Sequence, residues 1–328
     1  MILPKFVKKI HFNSYEDFCE NFKVDVPDNF NFAFDVVDEI ARQTPDKIAM
    51  IWCDDNGSER IFTFADMSSY SNRAANFFLS EGIRKGDKVM LILKRRYEFW
   101  FCILGLHKIG AITIPATHLL TEKDIIYRNN AAEIKMIVSV GEQELFKRID
   151  NSRKLSPSLL KVAFLDREFE GSTNFSRAIG LMSSVFSRPG GDNATRNADP
   201  MLLYFTSGTT GMPKMVNLPF TYPLGHILTA RYWQNAIDNG LHLTVADTGW
   251  AKSAWGKLYG QWLCGSAVMT YDYDKFVPRN LLEIIVKYKV TTFCAPPTIY
   301  RFLIKEDLKQ FDLSNLKYCV VAGEPLNP

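Results

Sequence analysis

Several features that would settle a protein's class at once are missing from this sequence. The most apolar stretch, Phe99 to Ala116, is interrupted by His107 and Lys108 and falls short of the roughly 20 apolar residues that span a membrane. The N-terminus has no secretory signal, because Met1 to Ile10 is basic with no apolar segment behind it, and Asn13, Glu16, Asp17 and Glu20 follow at once. The six cysteines (Cys19, Cys53, Cys102, Cys264, Cys294, Cys319) form no Cys-x-x-Cys pair. Scattered in this way, they read as reduced thiols of a cytoplasmic protein, most of them in the core. Charge of one sign is also lacking: 39 Lys and Arg stand against 36 Asp and Glu, a net +3, which does not suggest a nucleic-acid partner. No period of about 20 to 50 residues repeats, which excludes a solenoid. None of the five histidines pairs with Cys or Asp at metal-ligand spacing.

What remains is ordinary globular material. The 328 residues are 47% hydrophobic and 23% charged, enough for a sizeable core and about two domains. Strand-like and helix-like segments alternate. Apolar strands are expected at Ile48–Trp52, Arg60–Phe64, Lys88–Leu93, Ala111–Pro115, Lys135–Ser139 and Val162–Leu165, with helices at Phe32–Gln43, Phe64–Glu81 and Glu98–Ile109. Thr121-Glu-Lys-Asp124 fits a capping box opening a further helix. A polar stretch, Ser187 to Asp199, separates these from a second series: strands near 202–205, 241–245, 267–271, 291–294 and 318–322, with helices between them. We therefore expect an α/β protein of two successive α/β subdomains with mostly parallel sheets. The divisions are an N-terminal arm over residues 1–30, a first subdomain over 31–190 and a second over 191–328. The last residues, Gly323-Glu-Pro-Leu-Asn-Pro328, follow a buried strand at the edge where α/β sheets place their ligands. We expect a sequence cut short inside a larger domain.

The sharpest signal is Tyr204-Phe-Thr-Ser-Gly-Thr-Thr-Gly-Met-Pro-Lys-Met-Val216. Thr206, Ser207, Thr209 and Thr210 offer hydroxyls, Gly208 and Gly211 let the backbone approach a ligand, and successive N–H groups in such a loop form an anion-binding nest. Lys214 adds a mobile positive charge. The set suits a polyphosphate. It is not a Walker A loop, because two residues rather than four separate the glycines and Met-Pro precedes the lysine.

This segment closely resembles the phosphate-binding signature of the adenylate-forming superfamily of acyl-CoA synthetases, luciferases and peptide-synthetase adenylation domains. Asp247-Thr-Gly-Trp250, Ala295-Pro-Pro-Thr298, Gly323-Glu-Pro-Leu326 and the run from Trp100 to Pro115 are similar to the acetyl- and medium-chain acyl-CoA synthetase branch. The likeness extends over nearly all of the chain from about Phe32 and matches the N-terminal portion of that family's large domain.

The resemblance implies a two-step ligase. A carboxylate attacks the α-phosphate of ATP to give acyl-AMP and pyrophosphate, and coenzyme A then takes the acyl group and releases AMP. Such an in-line displacement needs positioning and charge neutralisation, with Mg²⁺, more than a protein nucleophile. By matching positions, Thr206, Ser207, Gly208, Thr209, Thr210, Gly211 and Lys214 cradle the β- and γ-phosphates, and Gly323, Glu324 and Pro325 lie along the adenine. Trp250, Lys252, Trp255 and Cys294 line the acyl pocket. Bulky indoles there favour a short- or medium-chain acid, branched chains included. Lys252 departs from the apolar residue expected in medium-chain members. It is either a solvated lysine or a pocket group paired with a carboxylate or carbonyl. Cys294 reads first as a buried apolar strand residue, one that could also reach the pocket. Trp255, Tyr259 and Trp262 share one face of a single expected helix, with Trp262 in the core. His226 is either near the nucleotide or on a helix surface, and Lys94-Arg-Arg96 is either a contact for coenzyme A phosphates or a solvated strand end.

The family's catalytic groups lie past the position of Pro328. These are a Tyr-Gly-Gln-Thr-Glu-like segment, a ribose aspartate, and a C-terminal lid with its lysine. We therefore do not expect these 328 residues alone to be a competent synthetase. An aryl-acid or amino-acid adenylation domain and a non-catalytic nucleotide-binding fragment are the alternatives. The partners implied are a small carboxylic acid, ATP and coenzyme A, with a homodimer admitted and neither nucleic acid nor a membrane span required. In the full-length gene product, Trp255→Ala is expected to broaden chain-length tolerance. An unchanged acyl preference across a series of acids would overturn the pocket assignment.

Overall fold

A computed structural model describes residues 2–206 and 211–326. The apolar segments form thirteen strands among the described residues: β1 (Ile48–Asp54), β2 (Glu59–Thr63), β3 (Lys88–Ile92), β4 (Ile112–Pro115), β5 (Met136–Ser139), β6 (Lys161–Phe164), β7 (Thr173–Asn174), β8 (Pro200–Thr206), β9 (Lys214–Pro219), β10 (Leu241–Thr244), β11 (Ala267–Asp272), β12 (Thr292–Ala295) and β13 (Tyr318–Val321). They make a seven-stranded sheet, β7-β6-β5-β3-β4-β8-β9, and a six-stranded sheet, β13-β12-β10-β11-β1-β2. Both are parallel except for one antiparallel pair at an edge, β8–β9 in the first and β1–β2 in the second. Strands β4, β5, β10 and β12 are buried along their whole length, as parallel strands covered on both faces must be.

Sheet membership does not follow chain order. The early pair β1–β2 joins the late strands through β1–β11, and β8–β9 joins the early strands through β4–β8. The division expected at 190/191 is therefore not a division between sheets. Backbone pairing explains this, because β1 finds its parallel partner in Val268 to Asp272 rather than among its sequence neighbours. The strand β9 was not expected. The glycine-rich segment joins β8 to β9, an antiparallel pair whose last register pair is Thr206 with Lys214.

Between the sheets lies the helix Glu98–Ile109, all twelve residues of which are buried. A helix apolar all round is what such a position demands, and Glu98, His107 and Lys108 each find a partner, although His107 Nδ1 has none. Glu98 accepts from Arg96, His107 Nε2 meets the Tyr259 hydroxyl at 2.8 Å, and Lys108 Nζ donates to Asp38 at 2.7 Å and to Asn72. Gly105 lets this helix press onto the helix Phe64–Ser80, since a Cβ there would lie 2.8 Å from both Ala74 Cβ and Ala75 N.

The expected Trp-rich helix is two short ones, Ala251–Gly256 and Tyr259–Leu263. The break falls at Lys257 and Leu258, whose φ angles are −151° and −150°. Lys257 turns inward to reach the Ala246 carbonyl at 2.7 Å, and the Gln261 side chain accepts the Leu258 N–H at 3.0 Å. Trp255 consequently does not share a face with Tyr259 and Trp262, which go into the core.

The loop after β10 closes the space between the two sheets. A Cβ on Gly249 would stand 2.3 Å from Thr117 N and 2.4 Å from Ala116 C, just past β4. Gly249→Ala is therefore expected to cost about 1–3 kcal/mol. It should lower the midpoint of thermal unfolding, and an unchanged midpoint would show that the two loops are not held together.

Candidate active site

The segments singled out in the sequence follow the ends of β3, β4, β8, β10, β12 and β13. Of the phosphate-loop residues, Thr206 closes β8 with its Oγ1 3.5 Å from the Lys214 carbonyl oxygen, and Gly211 has φ +92° with open space around it. Lys214 opens β9 and is exposed. Ser207, Gly208, Thr209 and Thr210 lie outside the described residues. The hairpin is braced from below, where the Tyr127 hydroxyl donates to the Pro213 carbonyl at 2.8 Å and the Arg128 guanidinium lies 4.8 Å from the centre of the Phe205 ring.

At the far edge of the other sheet, two of the recognised segments meet. Glu324 Oε2 accepts from the Thr298 hydroxyl at 2.6 Å and from the Thr298 N–H at 3.2 Å, which joins Gly323-Glu-Pro325 to the helix Pro297–Leu303. The Thr298 hydroxyl, with help from Arg301 and Lys252, holds the Glu324 carboxyl below its ordinary range. Gly323 follows β13 with φ +105°.

Lys252 ties this element to the tryptophan helix. Its Nζ donates to the Ala322 carbonyl at 2.7 Å and would lie 3.8 Å from a Cβ on Gly323. It is the half-buried alternative, paired with a carbonyl, and burial lowers its pKa while the charges of Cys294 and Glu324 oppose that. Cys294, at the end of β12, is buried beside it, and burial pushes its thiol up. Trp255 is half-buried with its ring centre 5.8 Å from that of Trp233. Trp250 precedes the helix and is 61% exposed. The structure thus brings Lys252, Cys294 and Gly323 together and leaves Trp250 facing solvent. Beneath Cys294, His242 bridges Thr292 at 2.7 Å and Thr244 at 2.8 Å, and Thr244 donates to the Gly256 carbonyl at 2.8 Å, which ties the helix to the sheet.

Sequence reasoning missed the joint around Asp247. His118 Nδ1 lies 3.4 Å from Asp247 Oδ2, Arg95 approaches the same oxygen at 3.8 Å, and the Gly249 N–H donates to Oδ1 at 2.8 Å. Burial works against the Asp247 charge, but His118, the Gly249 N–H and Arg95 outweigh it and hold the carboxyl below its ordinary range. Thr248 donates its N–H at 3.0 Å, and its hydroxyl, to the carbonyl of Lys94, which has φ +48°. The only available signal was the juxtaposition of strand ends, which a linear sequence does not display. His226 bonds Thr229 at 2.9 Å and burial pushes it down to about 4. Lys94, Arg95 and Arg96 are paired with carboxylates rather than free.

The model of the AMP-binding enzyme family matches residues 37–328. The chain belongs to the AMP-binding enzyme family. The human mitochondrial acyl-coenzyme A synthetase ACSM3 is 33% identical over 327 residues, 97% of this chain and 55% of the relative. Human mitochondrial ACSM4 is 34% identical over 311 residues, 92% of this chain and 53% of the relative. The crystal structure of the Brucella canis acyl-CoA synthetase superposes with a TM-score of 0.78 at 25% identity, covering 87% of this chain and 52% of that one. The anthranilate CoA ligase AuaEII, solved with anthranoyl-AMP, shares the fold with a TM-score of 0.79 at 24% identity, over 92% of this chain and 55% of that one. This chain spans about half the length of the curated relatives it matches. No helix among the described residues is long and apolar enough to cross a membrane.

Lys257 supplies a pH signature for the loop. Burial pushes its ammonium from 10.5 down to about 7, with Arg95 adding to the effect and Asp247 and Asp272 opposing it. Between about pH 7 and 10 the unfolded chain binds a proton that the folded chain does not, so the cost of burying this ammonium is relieved as pH rises across that window and returns as pH falls back to about 7. The unfolding midpoint of the wild type relative to Lys257→Met is expected to rise over that window. A difference that stays flat would overturn the assignment.

Proposed function

We propose that this chain carries the nucleotide- and acid-binding portion of an AMP-forming acyl-CoA synthetase for a short- or medium-chain carboxylic acid, branched chains included. The observation that carries the reading is the Lys252–Ala322 bond. It joins the backbone assigned to the adenine with the helix assigned to the acid, so that the two reactants of an adenylation are held by one unit.

In this reading the β8–β9 hairpin tip receives the β- and γ-phosphates of ATP on backbone amides and hydroxyls, with Lys214 offsetting their charge. Gly323, Glu324 and Pro325 form the wall for the purine, fixed by Thr298. The acid enters between Trp250 and Trp255, with Lys252 and Cys294 at its inner end. A carboxylate oxygen then bonds to the α-phosphorus as pyrophosphate leaves. Later the sulfur of coenzyme A bonds to the acyl carbon as AMP leaves. The chain's own contribution to both displacements is alignment and charge. Mg²⁺ belongs to the chemistry implied for the triphosphate. No cluster of three or more His, Cys, Asp or Glu among the described residues could hold a metal ion, and we assign it no ligand in this chain. A cytoplasmic location, expected from the scattered free cysteines, is retained as part of the proposal, although the curated relatives named above are mitochondrial.

ATP titrated calorimetrically into the full-length gene product is expected to give saturable heat. Lys214→Ala should weaken binding by about tenfold or more, the scale of one hydrogen bond to a charged group. Absence of heat with ATP would overturn the proposal.

A further inference from the structure

We infer that the N-terminal arm is a positioning element of the acid site, acting through Tyr232; this inference rests on the acid-site reading above. The arm carries a short helix, Tyr15–Asn21, capped by Ser14 and fastened by a Lys9–Asp17 ion pair. Its aromatic residues converge on one ring from the other end of the chain. The centroids of Phe12, Phe18 and Phe22 lie 6.0, 5.2 and 5.6 Å from that of Tyr232, and the Tyr232 hydroxyl donates to the Ile10 carbonyl at 3.2 Å. Edge-to-face pairs of this kind contribute about 0.5–1.5 kcal/mol each beyond the area they bury.

The two residues after Tyr232 touch residues of the proposed site. Trp233 packs on Trp255. Gln234 is fully buried and accepts from Gln261 Nε2. Gln261 cannot turn round, because its Oε1 already takes the Leu258 N–H. The amide nitrogen of Gln234 is therefore directed away from Gln261, has no hydrogen-bond partner in the protein, and faces the Cys294 thiol. Tyr232, Trp233 and Gln234 thus run from the arm to the tryptophan wall and then to the inner end of the acid site.

The backbone of this segment is not a regular helix. Thr229–Trp233 is one π-turn, closed by Gln234 N to Thr229 O at 2.9 Å, and the chain just after it turns back through a wider bond from Ala236 N to Ala230 O at 2.8 Å. Single π-turns are rare and occur frequently at functional sites, and this one is anchored by a side chain. Here the holding side chain is Tyr232, and its socket is the arm. Loosening the socket lets Trp233 and Gln234 shift, which changes the room available to the acyl chain without touching the phosphate hairpin.

The test uses the full-length gene product, with kcat and KM measured for ATP and for linear acids from about two to eight carbons. In Phe18→Ala, the kcat/KM ratio between the longest and shortest acids is expected to shift by about threefold or more through the KM for the acid, while the KM for ATP stays within about twofold. Tyr232→Phe, which loses only the bond to Ile10, should shift the ratio in the same direction by less, and it carries the test should Phe18→Ala fail to fold. Trp255→Ala is measured alongside. If it moves the ratio and neither arm-linked variant does, the arm only adds stability and this inference is overturned while the acid site stands. If none of the three moves it, the acid-site reading fails and the inference falls with it.

Discussion

Everything at the ligand edge depends on how the loop after β10 is held against the ends of β3 and β4. Two sheets whose helices are buried between them could meet at many offsets. Here the offset is fixed by a small polar joint: Thr248 on the Lys94 carbonyl, Gly249 against Ala116 and Thr117, and Asp247 between His118 and Arg95. A buried carboxylate is costly unless it is paired and hydrogen-bonded. Asp247 meets that condition only when groups from both sheets are in place, so its own solvation makes the offset specific. Lys257 supports the joint from below by engaging the Ala246 carbonyl, and this also breaks the tryptophan helix and turns Trp255 away from the core.

The buried helix Glu98–Ile109 follows the same logic on a larger scale. Its apolar residues supply area on both faces, and area alone sets no register. His107 on Tyr259 and Lys108 on Asp38 and Asn72 do set one, because each of these buried groups loses heavily if it is moved away from its partner. Burial also pushes His107 down to about 3, which keeps it neutral and able to share a proton with the tyrosine hydroxyl.

Much of this was legible in the order of residues, and the exceptions have physical causes. Strands such as Lys88–Ile92 and Met136–Ser139 and the capping box Thr121–Asp124 are local, set by apolar runs and by a side chain reaching three residues along. The hairpin strand β9 was not legible, since Lys214 to Val216 is mostly polar or exposed and pairs only because β8 offers it an edge. The sheet exchange of β1–β2 was not legible either, because parallel pairing is decided by partners far away in sequence. At the site, the roles given to Lys252 and Glu324 came from residue types and resemblance, and the structure adds their partners, Ala322 and Thr298. Asp247 with His118, and Tyr232 with the arm, depend on convergence in space and leave no trace in spacing.

The exchange of strand pairs also constrains how the polypeptide matures on the ribosome. After β1 and β2 emerge, their parallel neighbour β11 lies about two hundred residues downstream, and at ordinary synthesis rates of about 5–20 residues per second the hairpin waits ten seconds or more for it. During that interval the edge of β1 that carries Ala49, Met50 and Trp52, all buried in the finished sheet, lacks its parallel partner strand. The nascent chain therefore carries an unpaired strand edge, the kind of surface on which chains pair wrongly, until its last third is made.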